Sequence, residues 1–135
     1  MSVIVRDTGF APEDFTGSFV PLEALAEGDR AVDVGPADGL EALEGRLGSL
    51  EAIRIAFQSF SDGRGFTLAR DLRARGFAGR LRAQGHVIAD QYAMARRCGF
   101  DEVEISEELA ARQPQDQWQF RADWRDHDYQ ARLRG

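Results

Sequence analysis

The residues best suited to chemistry sit in one polar loop, Gln58-Ser-Phe-Ser-Asp62-Gly63-Arg64-Gly65-Phe66-Thr67. Its two glycines permit positive φ and close backbone approach. The helix expected after it begins with unpaired N–H groups and a partial positive charge, and Arg64 adds a planar, two-pronged donor. Together these suit an oxyanion such as sulfite, sulfate or phosphate. They equally suit a tight strand-to-helix turn in which Asp62 and Arg64 pair with each other. The spacing matches neither the dinucleotide fingerprint nor the Walker A pattern. His86, at the mouth of a second expected helix, is of the right type for general acid or base work; a solvated surface histidine is the alternative. Cys98 follows Arg96 and Arg97, whose charge favours a thiolate. It also closes a helix, where the dipole acts the other way, so a buried, inert thiol is expected. His86 and His127 are too far apart to make a metal site by themselves. No catalytic residue and no metal ligand is assigned.

The charges point to the same part of the chain. Of 135 residues, 17 are basic and 23 acidic, a net charge of −6. Residues 1–59 hold four Arg and eleven Asp/Glu, residues 60–97 eight Arg and three Asp, and residues 98–135 five Arg and nine Asp/Glu. Every basic residue is arginine, the side chain suited to bidentate binding of carboxylates and oxyanions. A GC-rich genome would also produce that bias. The acidic total argues against nucleic-acid binding, which needs a clustered positive surface. Arg80 and Arg82 alternate along an expected strand and share a face. On a strand covered on both sides they need partners, either acidic residues of the flanks or another molecule.

Length and composition frame these residues. The 43% apolar and 30% charged content fits a single globular domain over 1–135. One cysteine excludes an internal disulfide and a four-cysteine metal site built from this chain alone. No apolar run approaches the ~18 residues of a membrane span. The first residues lack the basic start and apolar stretch of a signal peptide, so a cytoplasmic protein with no membrane partner is expected.

The elements that must position the site read as follows. Ser2–Arg6 suggests a short edge strand, and Phe19–Leu22 an extended piece that Pro21 confines to an edge or a loop. Ala31–Val34 reads as a strand, and Ala37–Leu47 as a helix with Leu40, Leu43 and Leu47 on one face. Strands follow at Ala52–Phe57, Arg80–Gln84 and Glu102–Ile105, with helices at Phe66–Arg75 and His86–Cys98 closed by Gly76 and Gly99. The second helix would turn Val87, Met94 and Cys98 inward. The pattern predicts an α/β fold, a small parallel sheet of consecutive βαβ units with its core at 52–105. The N-terminal part, 1–50, is less defined. Ser106 reads as the N-cap of a short helix to Arg112. The remainder, 114–135, forms an aromatic C-terminal arm: Trp118, Phe120, Ala122 and Trp124 alternate as in a strand, with Tyr129 beyond. Either it packs on its own domain or it docks on a partner. Ligands of parallel sheets sit beyond the C-terminal strand ends, where Asp62, Arg64, Gln84, His86 and Ser106 would converge.

Three blocks carry a resemblance. They are Phe60-Ser-Asp62-Gly63-Arg64-Gly65-Phe66-Thr67-Leu-Ala69-Arg70-Asp-Leu72-Arg73, then Gly79-Arg-Leu-Arg82-Ala83-Gln-Gly85-His-Val87-Ile-Ala-Asp90-Gln91, then Arg97-Cys98-Gly99-Phe100-Asp101. In this order they resemble the bacterial domain-of-unknown-function family 934, with weaker similarity back to Ala52. Its members are commonly described as oxidoreductases involved in sulfite reduction. The resemblance implies a pathway, assimilatory sulfate and sulfite reduction towards cysteine biosynthesis. It marks Asp62, Gly63, Arg64, Arg73, Arg82, Gly85, Asp90 and Gln91 as the matching positions, while His86 stands where the family pattern is often acidic. With His86 these form the expected anion- or partner-binding set. Reducing sulfite to sulfide takes several electrons, delivered through metal or flavin cofactors, and no cofactor is expected to be bound by this chain alone. An accessory protein acting with sulfite reductase, or another enzyme of sulfate assimilation, through an arginine-rich rim is the leading expectation. The alternatives are a small enzyme of that pathway using an external redox cofactor, or a binding module for a sulfur oxyanion or phosphosulfate. A homodimer covering an exposed sheet edge is a further expectation.

Overall fold

A computed structural model describes residues 2–122. Seven strands form one sheet: β1 (Ser2–Arg6), β2 (Gly9–Ala11), β3 (Phe19–Pro21), β4 (Ala31–Val34), β5 (Ala52–Phe57), β6 (Arg80–Gly85) and β7 (Glu102–Ser106). Among the described residues four α-helices accompany them: α1 (Arg64–Ala74), α2 (Tyr92–Cys98), α3 (Glu107–Arg112) and α4 (Gln115–Gln119). The strand order is β2-β1-β7-β6-β5-β4-β3. Strands β3 to β7 pair in parallel with their neighbours. The sheet is therefore mixed α/β and mostly parallel, not wholly so, because β1 runs antiparallel to both β7 and β2. Strand β1 is also internal where an edge strand was expected: β2 covers its outer side.

Register sorts the strand residues onto two faces. One row across the sheet reads Val34, Ile55, Ala83, Val103, Val5, all buried. The adjacent row, on the opposite face, reads Asp33, Arg54, Arg82, Glu102. The apolar face is backed by helices: Phe66, Ala69 and Leu72 of α1 and Tyr92, Ala95 and Cys98 of α2 join one buried cluster with Ile53, Ile55, Phe57 and Leu81. Against the charged face lies the segment between β2 and β3. Its Glu13 and Asp14 pair with Arg82, Arg6 and Arg80 of the sheet.

Several local expectations are met. Gly76 and Gly99 adopt positive φ just past α1 and α2, as C-terminal glycines do. The Ser106 hydroxyl accepts from Leu109 N at 3.1 Å and caps α3. Others are corrected. The helix expected at 37–47 is a short 3-10 turn, Glu41–Leu43, within a run of turns. Gly39, Gly45 and Gly48 fall inside or next to it; each costs a helix about 1 kcal/mol. Leu40 and Leu43 are buried all the same. Helix α2 starts at Tyr92, after a 3-10 turn at Ala89–Gln91, and leaves Met94 outside the core, 47% exposed. The strand periodicity at 117–122 is overturned by α4. Trp118 is buried while Phe120 is 74% exposed, a split that helical rotation produces and strand alternation does not. The Trp118 indole donates to Gln113 O at 2.8 Å. Trp124, His127 and Tyr129 lie outside the described residues. No described helix is long and apolar enough to cross a membrane.

Candidate functional site

The strand-end rim forms around β5, β6 and β7. Gly85 ends β6 with φ +112°, and a Cβ there would stand 2.7 Å from Phe57 O. Only glycine suits such a turn. It lets His86 N donate to Phe57 O at 2.9 Å. His86 Nδ1 lies 3.2 Å from the same carbonyl; a carbonyl only accepts, so Nδ1 is the donor of this contact. The ring stands edge-on to Phe60, with centroids 5.2 Å apart. Phe60 is 43% exposed, an aromatic left in water on the loop after β5. Gln91 fixes that loop from the start of α2: its Nε2 donates to Phe60 O at 2.9 Å while its Oε1 accepts from Ile88 N at 3.0 Å.

A cleft of about 330 Å³ opens beside this pair, lined by residues that include Gln84, Gly85, His86 and Ser106. Three of the five residues expected to converge are therefore brought together. Asp62 and Arg64 are not in its lining. They pair with each other: Arg64 Nε donates to Asp62 Oδ1 at 3.0 Å and Nη2 to Oδ2 at 2.8 Å. Arg64 N donates to Asp62 Oδ1 at 3.2 Å, so the start of α1 already faces a carboxylate of its own chain. The Arg64 pairing holds Asp62 below the ordinary carboxylate range. Neither glycine of the loop uses positive φ. Gly65 serves close approach instead, since a Cβ there would meet the Phe57 ring at 2.5 Å.

The remaining marked residues lie elsewhere. Arg73 sits at the far end of the sheet. It donates to the carbonyls of Gly99, Phe77 and Gly79 and to Asp101, at 2.7–3.0 Å, locking the end of α1 to the turns before β6 and β7. Asp90, exposed, pairs with Arg121 at 3.0 Å. Arg82 is wholly buried on the charged face. Its Nε donates to Glu102 at 2.6 Å, Nη1 to Glu104 at 2.8 Å and to Glu13, and Nη2 to Glu13 at 3.0 Å. The partners demanded by the alternating arginines are thus acidic residues of the same chain. Arg54 extends the set to Asp33 (2.6 Å) and Glu104 (3.1 Å) and lies 4.2 Å over the Phe19 ring.

Sequence reasoning missed Glu13, Asp14, Glu102 and Glu104 as the counterparts of the arginines. The alternation of Glu102 and Glu104 along one strand, matching that of Arg80 and Arg82 on its neighbour, was the available signal. Asp14 is held down to about 2, chiefly by its hydrogen bond from Arg6 and further by Arg80. For Glu13, burial pushes upward, and the Arg82 and backbone hydrogen bonds outweigh it to leave the carboxyl lowered. Burial raises the Cys98 thiol despite nearby Arg70 and Arg97, the environment of an unreactive thiol. Among the described residues, no cluster of three or more His, Cys, Asp or Glu side chains is arranged for a metal ion.

Comparison with curated proteins and with solved structures finds no match to either. The family model described as "Bacterial protein of unknown function (DUF934)" matches residues 31–135, and the chain belongs to that family.

Proposed function

We propose that this family member is an accessory protein of assimilatory sulfate and sulfite reduction, acting in the cytoplasm by docking on sulfite reductase or a companion enzyme. In this reading the oxidoreductase description refers to the reaction the protein serves, upstream of cysteine biosynthesis. The pathway rests on the resemblance of the 60–101 blocks. The docking role rests on one observation: Phe60 is held out in water against His86, on a loop that Gln91 secures. A rigid, half-exposed aromatic beside polar groups is the usual anchor of a protein interface. Consecutive βαβ units across 52–105 belong to the same proposal, since they would carry these loops to one rim.

Arg73 and Arg82 are engaged within the chain, so the contact shifts from an arginine-rich rim to the Phe60–His86 edge, whose cleft Arg112 also lines. Titrating the purified protein against the sulfite reductase of its own organism, by light scattering at two salt concentrations, tests the reading. Micromolar or tighter binding that weakens with salt is expected, and Phe60→Ala should weaken it by about tenfold or more. Absence of binding at high micromolar concentration overturns it. A sulfur-oxyanion module is the second reading, favoured by His86 and Arg112 lining one cleft. Glu104 and Glu108 line the same cleft and oppose an anion there, which places this reading second. Saturable sulfite or sulfate binding without any partner enzyme would reverse that order.

A further inference from the structure

The charged face of the sheet carries four arginines, Arg6, Arg54, Arg80 and Arg82, beneath the strap that joins β2 to β3. No residue of 12–18 is buried; Phe15 and Gly17 are half-buried and the rest exposed. The contacts that hold the strap are ionic and aromatic. Glu13 takes the two terminal nitrogens of Arg82 with its two oxygens. Asp14 Oδ1 lies 2.6 Å from Arg6 and 3.0 Å from Arg80. The Phe15 ring lies 5.7 Å from the Arg80 guanidinium and 6.0 Å from that of Arg30, and packs on Phe19 at 5.2 Å. Glu13 Oε1 also accepts from Phe15 N at 2.8 Å, which sets the short segment in one shape. Beside it, strap and sheet leave a cleft of about 350 Å³ that reaches Phe19, Arg54 and Glu104.

A segment that meets a surface mainly through two carboxylates and one ring has the recognition chemistry of a peptide ligand. We propose that this face is a binding surface for an acidic–aromatic segment of a partner chain, two consecutive carboxylates followed by an aromatic residue. Glu13-Asp14-Phe15 is its resident occupant. With the strap lifted, four guanidinium groups face three sheet carboxylates, Asp33, Glu102 and Glu104, and the donors that pointed to Glu13 and Asp14 are freed. A partner in trans must displace a tethered competitor, whose effective concentration is high. Weakening the strap therefore raises the affinity for the partner. The proposal stands apart from the Phe60 rim and from the identity of any partner enzyme.

The probe is a fluorescent peptide copying residues 11–17, Ala-Pro-Glu-Asp-Phe-Thr-Gly, titrated by anisotropy into the full chain. The double variant Glu13→Gln, Asp14→Asn should bind it about tenfold or more tighter than the unaltered chain. The binding should fall as salt rises and vanish for a peptide carrying Gln-Asn in place of Glu-Asp. Equal affinity for both chains with the fold intact, or equal binding of the neutral peptide, overturns the proposal. Should the double variant lose its fold by circular dichroism, hydrogen exchange on the unaltered chain decides: millimolar acidic peptide must speed exchange at residues 12–18. No change there overturns it as well.

Discussion

On the helix-backed face, Ile53, Ile55 and Leu81 are fully buried among aliphatic and aromatic neighbours; one residue along on the same strands, Arg54, Arg80 and Arg82 face carboxylates. Both faces are organised around the same backbone, but they are held differently. Burial of apolar area is non-directional and carries no titrating group of its own. The charged face depends on geometry, because a buried ion left without its partner costs more than the pair contributes. The apolar side thus supplies stability, and the ionic side fixes which groups may lie over the sheet.

The difference can be tested from its strongest consequence downward. Arg82→Ala removes the main partner of two buried carboxylates, Glu102 and Glu104, and should lower unfolding free energy by about 4 kcal/mol in urea denaturation. Ile55→Ala, one strand away on the other face, should cost about 3 kcal/mol. Acid separates the two. Glu13 is held below its ordinary 4.5 by its hydrogen bonds from Arg82 and Phe15 N, so the intact chain gains from the Arg82 pair above pH 4.5 and loses that gain as pH falls below it, and the Arg82→Ala deficit narrows there. The Ile55→Ala deficit should stay constant, and parallel pH profiles would erase the distinction between the faces. Asp14→Asn acts on a half-exposed pair and should cost less than about 1 kcal/mol, diminishing in high salt. Asp14 has a folded pKa lowered from 3.8 to about 2. Its contribution is therefore complete above pH 4 and lost as pH falls from 4 towards 2, which amide exchange at residues 12–18 can follow. Arg64→Ala, at an exposed pair, should leave the thermal midpoint unmoved; an unfolded variant would make the Asp62–Arg64 turn structural.

The positions of β5 to β7 were legible because apolar runs ended by polar, glycine-bearing loops are a local property, and so was the gathering of Gln84, His86 and Ser106 at strand ends; β2, in a stretch that reads as turns, was not. The 37–47 segment misled because leucine spacing reports which residues are buried, and a run of turns rich in glycine can bury the same side chains. The need for partners at Arg80 and Arg82 was visible from their pairing in one strand. The identity of those partners was not, since it depends on the register between β6 and β7 and on where the strap falls, neither of which has a local signature. Asp62 and Arg64 looked like half of a ligand site because sequence shows donors without showing what already occupies them. The role of Gln91 was equally hidden: its two hydrogen bonds reach across 31 residues to Phe60 and back to Ile88.

Strand β1 lies between β2 and β7, and this has a bearing on time. During synthesis its β2 side can pair at once, but its other side must wait for β7, because Ile4 is set opposite Glu104 and Val5 opposite Val103. Contacts so distant in sequence form slowly, and until then Val3, Ile4 and Val5 are an apolar stretch without a home. The family match begins at residue 31, at the start of β4 and beyond β1, β2, β3 and the strap. The β1–β2 pair therefore joins the sheet as a unit, along β7, once β7 has formed beside β6.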